Sequence, residues 1–252
     1  MTRVKKMNFD AMFAPADAYR AHRAWAMLQG RGFGPLILTG GLAIQLHGLA
    51  HGLAAEPRPL NDIDFLVDSF SEIPSTLSTD LLFRHVHPHD PPGKTLLQSV
   101  HPETAVRIDI FRAYGGTTAR AMPIELGGVA IRMVSLEDLA ARTARLVMGL
   151  ATDEQVPAKH ARDLLRLLAM LEIGQTDAQQ VNSAWQEHRK PGYPATIAEA
   201  AQLLTGLIAT RPGLQIVPIY SRDTTASCSR CESTAAFPLA DGGRVLSLLG
   251  YC

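Results

Sequence analysis

Asn61-Asp62-Ile63-Asp64-Phe65-Leu66-Val67 is the stretch on which the reading of the fold turns. Within it Asp62–Val67 alternates polar and apolar positions and then becomes apolar, which is the pattern of a strand entering a core. Side chains two residues apart on a strand leave from the same face. Asp62 and Asp64 therefore stand side by side, while Ile63 and Phe65 point the other way. Two adjacent carboxylates repel each other unless a cation compensates, and a pair of hard oxygen donors suits Mg²⁺. The same pattern also describes two solvated acids at a strand edge, so the pair needs support from elsewhere in the chain.

Upstream, Leu36-Ile37-Leu38 is a short apolar run suited to a buried strand. Thr39-Gly40-Gly41 reads as a tight turn, and a helix begins over Leu42 to His47. Glycines let a backbone approach a ligand closely, and the N–H groups at a helix start favour phosphate. A Gly-Gly turn also occurs with no ligand at all. Residues 53–60 contain Pro57 and Pro59 and read as a loop. Downstream, Ala105 to Phe111 alternates again and places Asp109 on the face opposite Ile108 and Ile110. If that strand lies beside the Asp62 strand, three carboxylates converge. Two-metal phosphoryl transfer needs such a cluster, because its ions sit roughly 3.5–4 Å apart and share ligands. Taken alone, Asp109 is equally an ordinary surface acid.

The rest of the first half is an Ala-rich helix over Pro15–Gln29, with Arg20 and Arg23 on its polar face, and one more strand over Gly127–Val134. Residues 73–104 show no clear period. After residue 134 the period becomes helical. Ser135-Leu136-Glu137-Asp138 has the form of a helix start, with Ser135 as the cap and an acid three residues on. Helix is expected to about Met148, again over Lys159–Leu171, and again within 178–209, where Pro191 and Pro194 interrupt it. The expected fold class is α/β (α+β), a mixed sheet flanked by helices. The expected units are residues 1–134, a helical unit over 135–210 and an irregular, Cys-containing tail over 211–252.

Composition narrows the function classes. Twenty-four Lys plus Arg balance 24 Asp plus Glu, so the chain is not a general polyanion binder. Three Cys do not make a disulfide framework. Arg3, Lys5 and Lys6 are not followed by an apolar signal-peptide core. The most apolar stretch, 35–55, is broken by Gly40, Gly41, Gly48 and Gly52 and carries Gln45, His47 and His51, which does not suit a membrane span. A cytoplasmic protein with no membrane partner is expected.

Leu38-Thr39-Gly40-Gly41, then Arg58, then Asn61-Asp62-Ile63-Asp64-Phe65, resembles the signature of the DNA polymerase beta nucleotidyltransferase superfamily. That signature is a hydrophobic residue, Gly, and Gly or Ser, followed by Asp-x-Asp on the next strand and a third Asp on a later one. Within the superfamily the chain is most similar to abortive-infection-type nucleotidyltransferase toxins and small aminoglycoside nucleotidyltransferases. Lys159-His160-Ala161-Arg162-Asp163-Leu164 is similar to the Lys-Asp-x-x-Asp-Leu helix those proteins carry, with His160 standing at the first Asp. Arg142 is the nearest match to a Lys that such toxins often have in the first helix after the sheet. Arg can neutralise phosphate but cannot act as a base.

The resemblance implies a set of roles. Asp62, Asp64 and Asp109 would be the catalytic carboxylates and the Mg²⁺ ligands. Thr39, Gly40, Gly41, Arg58, Arg142, Lys159 and Asp163 would form the nucleotide site. Lys159 and Asp163 also have a simpler reading, since opposite charges four residues apart stabilise a helix by a few tenths of a kcal/mol. The implied reaction is Mg²⁺-dependent transfer of a nucleoside monophosphate from an NTP to a hydroxyl on a tRNA end, a protein or a small molecule. A nucleotide-binding module without catalysis, or a toxin–antitoxin component acting through a partner protein, is the alternative. Two further clusters stand apart from this scheme. His85, His87, His89 and Asp90 read as a Pro-flanked surface loop, with transition-metal binding as the alternative. Cys228 and Cys231 have the spacing of half a zinc knuckle, with Cys252 a third ligand at most. Trp185 reads as core.

Overall fold

The computed structural model describes residues 6–210, apart from 57, 75, 78–79, 87–95, 102 and 153–157. Among the described residues, eight strands form one mixed sheet: β1 (Lys6–Met7), β2 (Ile37–Thr39), β3 (Asp62–Val67), β4 (Leu82–Val86), β5 (Leu96–Val100), β6 (Arg107–Arg112), β7 (Met122–Leu126) and β8 (Val129–Met133). Their order across the sheet is β1-β7-β8-β2-β3-β6-β5-β4. The helices are α1 (Pro15–Arg31), α2 (Gly40–Ala50), α3 (Leu136–Thr152), α4 (Ala158–Ile173), α5 (Ala178–His188) and α6 (Ile197–Thr210). The α/β class expected from the sequence is the one observed. No described helix is long and apolar enough to cross a membrane.

Local chemistry explains the elements that carry the site. β3 occupies the bounds that its alternation marks. Its odd residues, Ile63 and Phe65, are fully buried on the face covered by α1, where the Trp25 ring stacks on Phe65 with centroids 6.2 Å apart. Trp25 Nε1 also donates to the Leu126 carbonyl, so a large apolar ring is buried with its one polar atom satisfied. The other face of β3 carries Asp62 and Asp64 and then the buried Leu66. β3 runs antiparallel to β2, with Thr39 opposite Asp64, and parallel to β6, with Asp64 opposite Asp109.

Several expectations are refined. The aperiodic 73–104 stretch contains β4 and β5, an antiparallel pair whose register shifts between Phe83 and His85. His85 thus belongs to a strand rather than a loop, while His87, His89 and Asp90 lie outside the described residues, as do Cys228, Cys231 and Cys252. β7 pairs with β8 across a two-residue turn, Gly127-Gly128, both with positive φ. Such a turn matches the twist of a hairpin and needs residues free to adopt that conformation. The interrupted helix over 178–209 is two helices, α5 and α6. Trp185 is core, buried with its Nε1 donating to the Pro194 carbonyl.

One continuous cluster of buried residues runs from Phe9 on the α1 side to Ala200 in α6. A polar knot ties α3 and α5 to the sheet. Asp138 is fully buried and accepts from Arg120, Thr117, Ser135 and His188. Burial pushes its carboxyl up, but the hydrogen bonds from Arg120, His188 and Ser135 outweigh this and hold it well below the usual carboxylate range. Ser135 also accepts from the Asp138 N–H at 3.2 Å, which gives α3 the capped start read from its sequence.

Candidate active site

The site is built on a row of residues that cross the sheet in register: Thr39, Asp64, Asp109 and Gln98 on β2, β3, β6 and β5. Residues directly opposite on neighbouring strands share a face, and Asp62 joins that face two residues before Asp64. As a result Asp62, Asp64 and Asp109 each offer an oxygen within 4.8 Å of one another. The structure thus brings the three sequence-predicted carboxylates together.

Gly40 explains why a glycine follows β2. Its φ is +66°, and a Cβ there would stand 1.8 Å from Asp64 Oδ2. The backbone of the turn lies directly against the carboxylate, and no other residue type leaves that space open. A Cβ on Gly41 would meet Arg58 Nη1 at 3.0 Å. Thr39 stands just before α2 without capping it through its side chain; it is buried, and its Oγ1 has no hydrogen-bond partner among the described residues.

The basic residues divide into two groups. The Arg58 side chain is largely enclosed and held by Asp163 at 2.9 Å and by Glu56 at 3.5 Å. Asp163 therefore serves Arg58 across the fold, and no ion pair joins it to Lys159 among the described residues. Lys159 lines a small cleft with Gly41, Gln45, Arg58, Asn61 and Asp62. Arg142 is half-buried, with its guanidinium 4.8 Å from the centre of the Phe111 ring. Phe111 is two residues beyond Asp109 on the same face of β6. Burial pushes the Arg142 pKa down and the Asp64 charge raises it, which puts Arg142 in the field of the carboxylates. His160 is pushed down by burial and by Lys159, against Asp163 and Asp62.

The carboxylates themselves are perturbed upward. Burial raises Asp64 well above its ordinary value, and Asp62 and Asp109 add to this, while Lys159 and Arg107 oppose it. Asp109 is pushed up to about 6 by burial; Arg107 lowers it and Asp62 raises it. Three hard oxygen donors, incompletely neutralised by their surroundings, fit a divalent cation of the Mg²⁺ type.

Three features of the site were not singled out from the sequence. Arg107 bridges the cluster, with Nη2 on Asp62 Oδ2 at 2.5 Å and Nε on Asp109 Oδ2 at 2.9 Å. It sits two residues before Asp109 in the same alternating strand, so the rule that placed Asp109 also places Arg107. Gln98 Nε2 donates to Asp109 Oδ2 at 3.2 Å. Asp17 and Arg20 of α1 fix the chain entering β3: Asp17 accepts from the Leu60 N–H and from Arg20, and Arg20 donates to the Leu60 and Thr104 carbonyls. A larger groove lies between the start of α3 and α5, lined by Arg120, Ser135, Glu137 and Asp177 among others. It holds none of the carboxylate cluster, so the small cleft beside Asp62 is the better candidate site. No protein-family model matches the chain, and no curated protein matches it in sequence.

Proposed function

We propose that the chain is a Mg²⁺-dependent nucleotidyltransferase that moves a nucleoside monophosphate from an NTP to a hydroxyl acceptor. The observation that carries this reading is the convergence of Asp62, Asp64 and Asp109 against the glycine turn, in a chain whose motifs resemble that superfamily. Asp62, Asp64 and Asp109 would hold the metal. Bound Mg²⁺ would neutralise charge on the attacking and leaving oxygens during in-line displacement. The Thr39–Gly41 turn and the first N–H groups of α2 would receive phosphate oxygens, as helix starts do. Lys159 and Arg142 would balance the charge of the triphosphate. Arg58, locked by Asp163 and Glu56, would shape the turn from beneath as well as add positive potential. Asp109 would take the acceptor's proton, and Gln98 would keep its carboxylate oriented.

A second reading, nucleotide binding without turnover, draws support from Arg107, which already occupies two of the three carboxylates. One experiment separates the two. The protein is incubated with each labelled NTP, Mg²⁺ and pooled tRNA or cell extract, with Asp64→Asn as the control. Label transferred to an acceptor by the wild type and lost in Asp64→Asn supports the enzyme. Nucleotide binding with no transfer under any condition supports the module. Neither binding nor transfer with any of the four NTPs would overturn both.

A further inference from the structure

We propose that Arg107 is a built-in counter-cation that competes with the divalent metal for Asp62 and Asp109 and must leave them when the metal binds. The proposal rests on the nucleotidyltransferase reading only in taking the three carboxylates as the metal site.

The geometry is specific. Arg107 and Asp109 lie two residues apart on one face of β6, and Asp62 is directly opposite Arg107 on β3. The guanidinium spans the two acids as a fork. Nη2 engages Asp62 Oδ2, while Nε reaches both oxygens of Asp109, at 3.1 and 2.9 Å. Gln98 takes a further share of Asp109 Oδ2. Asp62 Oδ2 and both oxygens of Asp109 therefore already accept hydrogen bonds, so a cation at the cluster competes with Arg107 for oxygens on two of the three acids. Only Asp64 faces the glycine turn instead. A divalent ion at this cluster would meet a like charge within a few ångströms, where repulsion in a partly buried site is large. Arg does not lose its proton, so it cannot make room by neutralising and has to move. The side chain is one-fifth exposed, which leaves it a route outward. The acidic cluster keeps a counter-charge in the absence of metal, and metal affinity is set lower than three carboxylates alone would give.

The test uses Mn²⁺ as the probe, titrated into the full chain and followed by electron paramagnetic resonance, with and without a non-hydrolysable NTP. Arg107→Gln removes the charge and is expected to tighten Mn²⁺ binding at least tenfold. Arg107→Lys keeps a charge without the fork and is expected to fall between. A Kd that is unchanged or weaker in both variants, with the wild type binding Mn²⁺ through Asp64, overturns the competition and leaves the nucleotidyltransferase reading standing. No Mn²⁺ binding in any of the three proteins, even with nucleotide, overturns both. If the variants do not fold, the wild type still decides. Hydrogen exchange at the Arg107 Nε–H, read by ¹⁵N NMR, is expected to accelerate when the metal is saturating. Slow exchange that persists in the metal-bound protein overturns the proposal.

Discussion

Replacing Asp109 with Asn should make the metal-free protein more stable. Asp109 is almost fully buried on a central strand beside Asp64, with Asp62 close by. Its pKa rises from 3.8 to about 6, through burial, with Arg107 opposing and Asp62 adding to the rise. At 1.36 kcal/mol per pH unit, holding the ionised form at pH 8 costs the fold about 3 kcal/mol. Asn has nearly the same shape and no charge, so Asp109→Asn should recover most of this, roughly 1–3 kcal/mol once the weaker hydrogen bond to Arg107 is allowed for. The sign follows from linkage. A carboxylate whose folded pKa is raised binds its proton more tightly in the native state, so its stabilisation is complete below the unfolded pKa and is lost as pH rises through about 6. The gain from Asp109→Asn should therefore be largest at pH 8, about half as large at pH 5, and absent below about 3.8. Urea unfolding at these pH values, with chelator present, measures it. Adding Mg²⁺ should narrow the gap, because only the wild type recovers the cost by binding. An Asp109→Asn protein less stable than wild type at pH 8 would refute the argument, since Asp109 would then not be a strained carboxylate in an acidic cluster.

Mg²⁺ with the cognate NTP should stabilise the wild type by about 2.7 kcal/mol at a ligand concentration 100 times Kd; an unchanged thermal midpoint with all four NTPs at millimolar concentration contradicts it. Gly40→Ala should cost about 1–2 kcal/mol for its positive φ and displace Asp64, lowering transfer by roughly 10² or more; near-wild-type transfer would show that the turn does not bear on Asp64. Asp138→Asn should destabilise by about 2–3 kcal/mol near neutral pH, less than a fully enclosed ion pair because Arg120 is partly solvated. Its folded pKa is depressed, so this stabilisation is present above the ordinary carboxylate value and lost as pH falls through the folded one; chemical denaturation across that range should show the gap closing in acid. Asp17→Ala should cost about 2 kcal/mol and weaken nucleotide binding by loosening Leu60; a stability loss with unchanged nucleotide affinity would confine Asp17 to a structural role.

The parts of this fold that the sequence made legible are those governed by local period. Asp62–Val67 could be bounded to the residue because the alternation at its start gives way to a wholly apolar end. Ser135 and Asp138 marked the start of α3 through capping chemistry, which is also local. That Asp64 would lie opposite Asp109 was conditional on adjacency, because strand order is a non-local property. β3 and β6 pair directly, although β4 and β5 lie between them in the chain. β4 itself was hidden by its register shift at Phe83 and His85, which breaks the alternation a strand is read by. β7 could have been read from Gly127-Gly128, whose paired glycines are a hairpin signal, but Pro123 sits inside the strand and masks its period. The basic residues were the hardest to place. Arg20 looked like a solvated face residue and is instead anchored to the Leu60 and Thr104 carbonyls. Arg58 looked like a phosphate ligand and is tied to Asp163, 105 residues away.

The charge balance of the site links these observations. Asp62, Asp64 and Asp109 carry three negative charges when ionised, and Arg107 returns one. Lys159 and Arg142 also interact electrostatically with Asp64, and neither forms an ion pair with a carboxylate of the cluster among the described residues. When all three are ionised the remainder is about two negative charges on the central strands of the sheet, where the burial of Asp64 and Asp109 makes a neutral residue more stable. The elements around it are arranged to keep those charges in place. Asp17 and Arg20 fix the approach to Asp62, Gly40 gives Asp64 its space, and Gln98 with Arg107 holds Asp109. A fold that needed only surface acids would have no use for such restraint. A divalent cation would cancel that remainder, and one held by the three carboxylates would lie beside the Thr39–Gly41 turn, where the proposed function puts the phosphates. The contacts of Asp17, Arg20 and Arg107 stabilise the fold while the buried carboxylates they hold oppose it in the metal-free chain, and on the proposed function the two are reconciled when a cation and a polyanion bind together at this point.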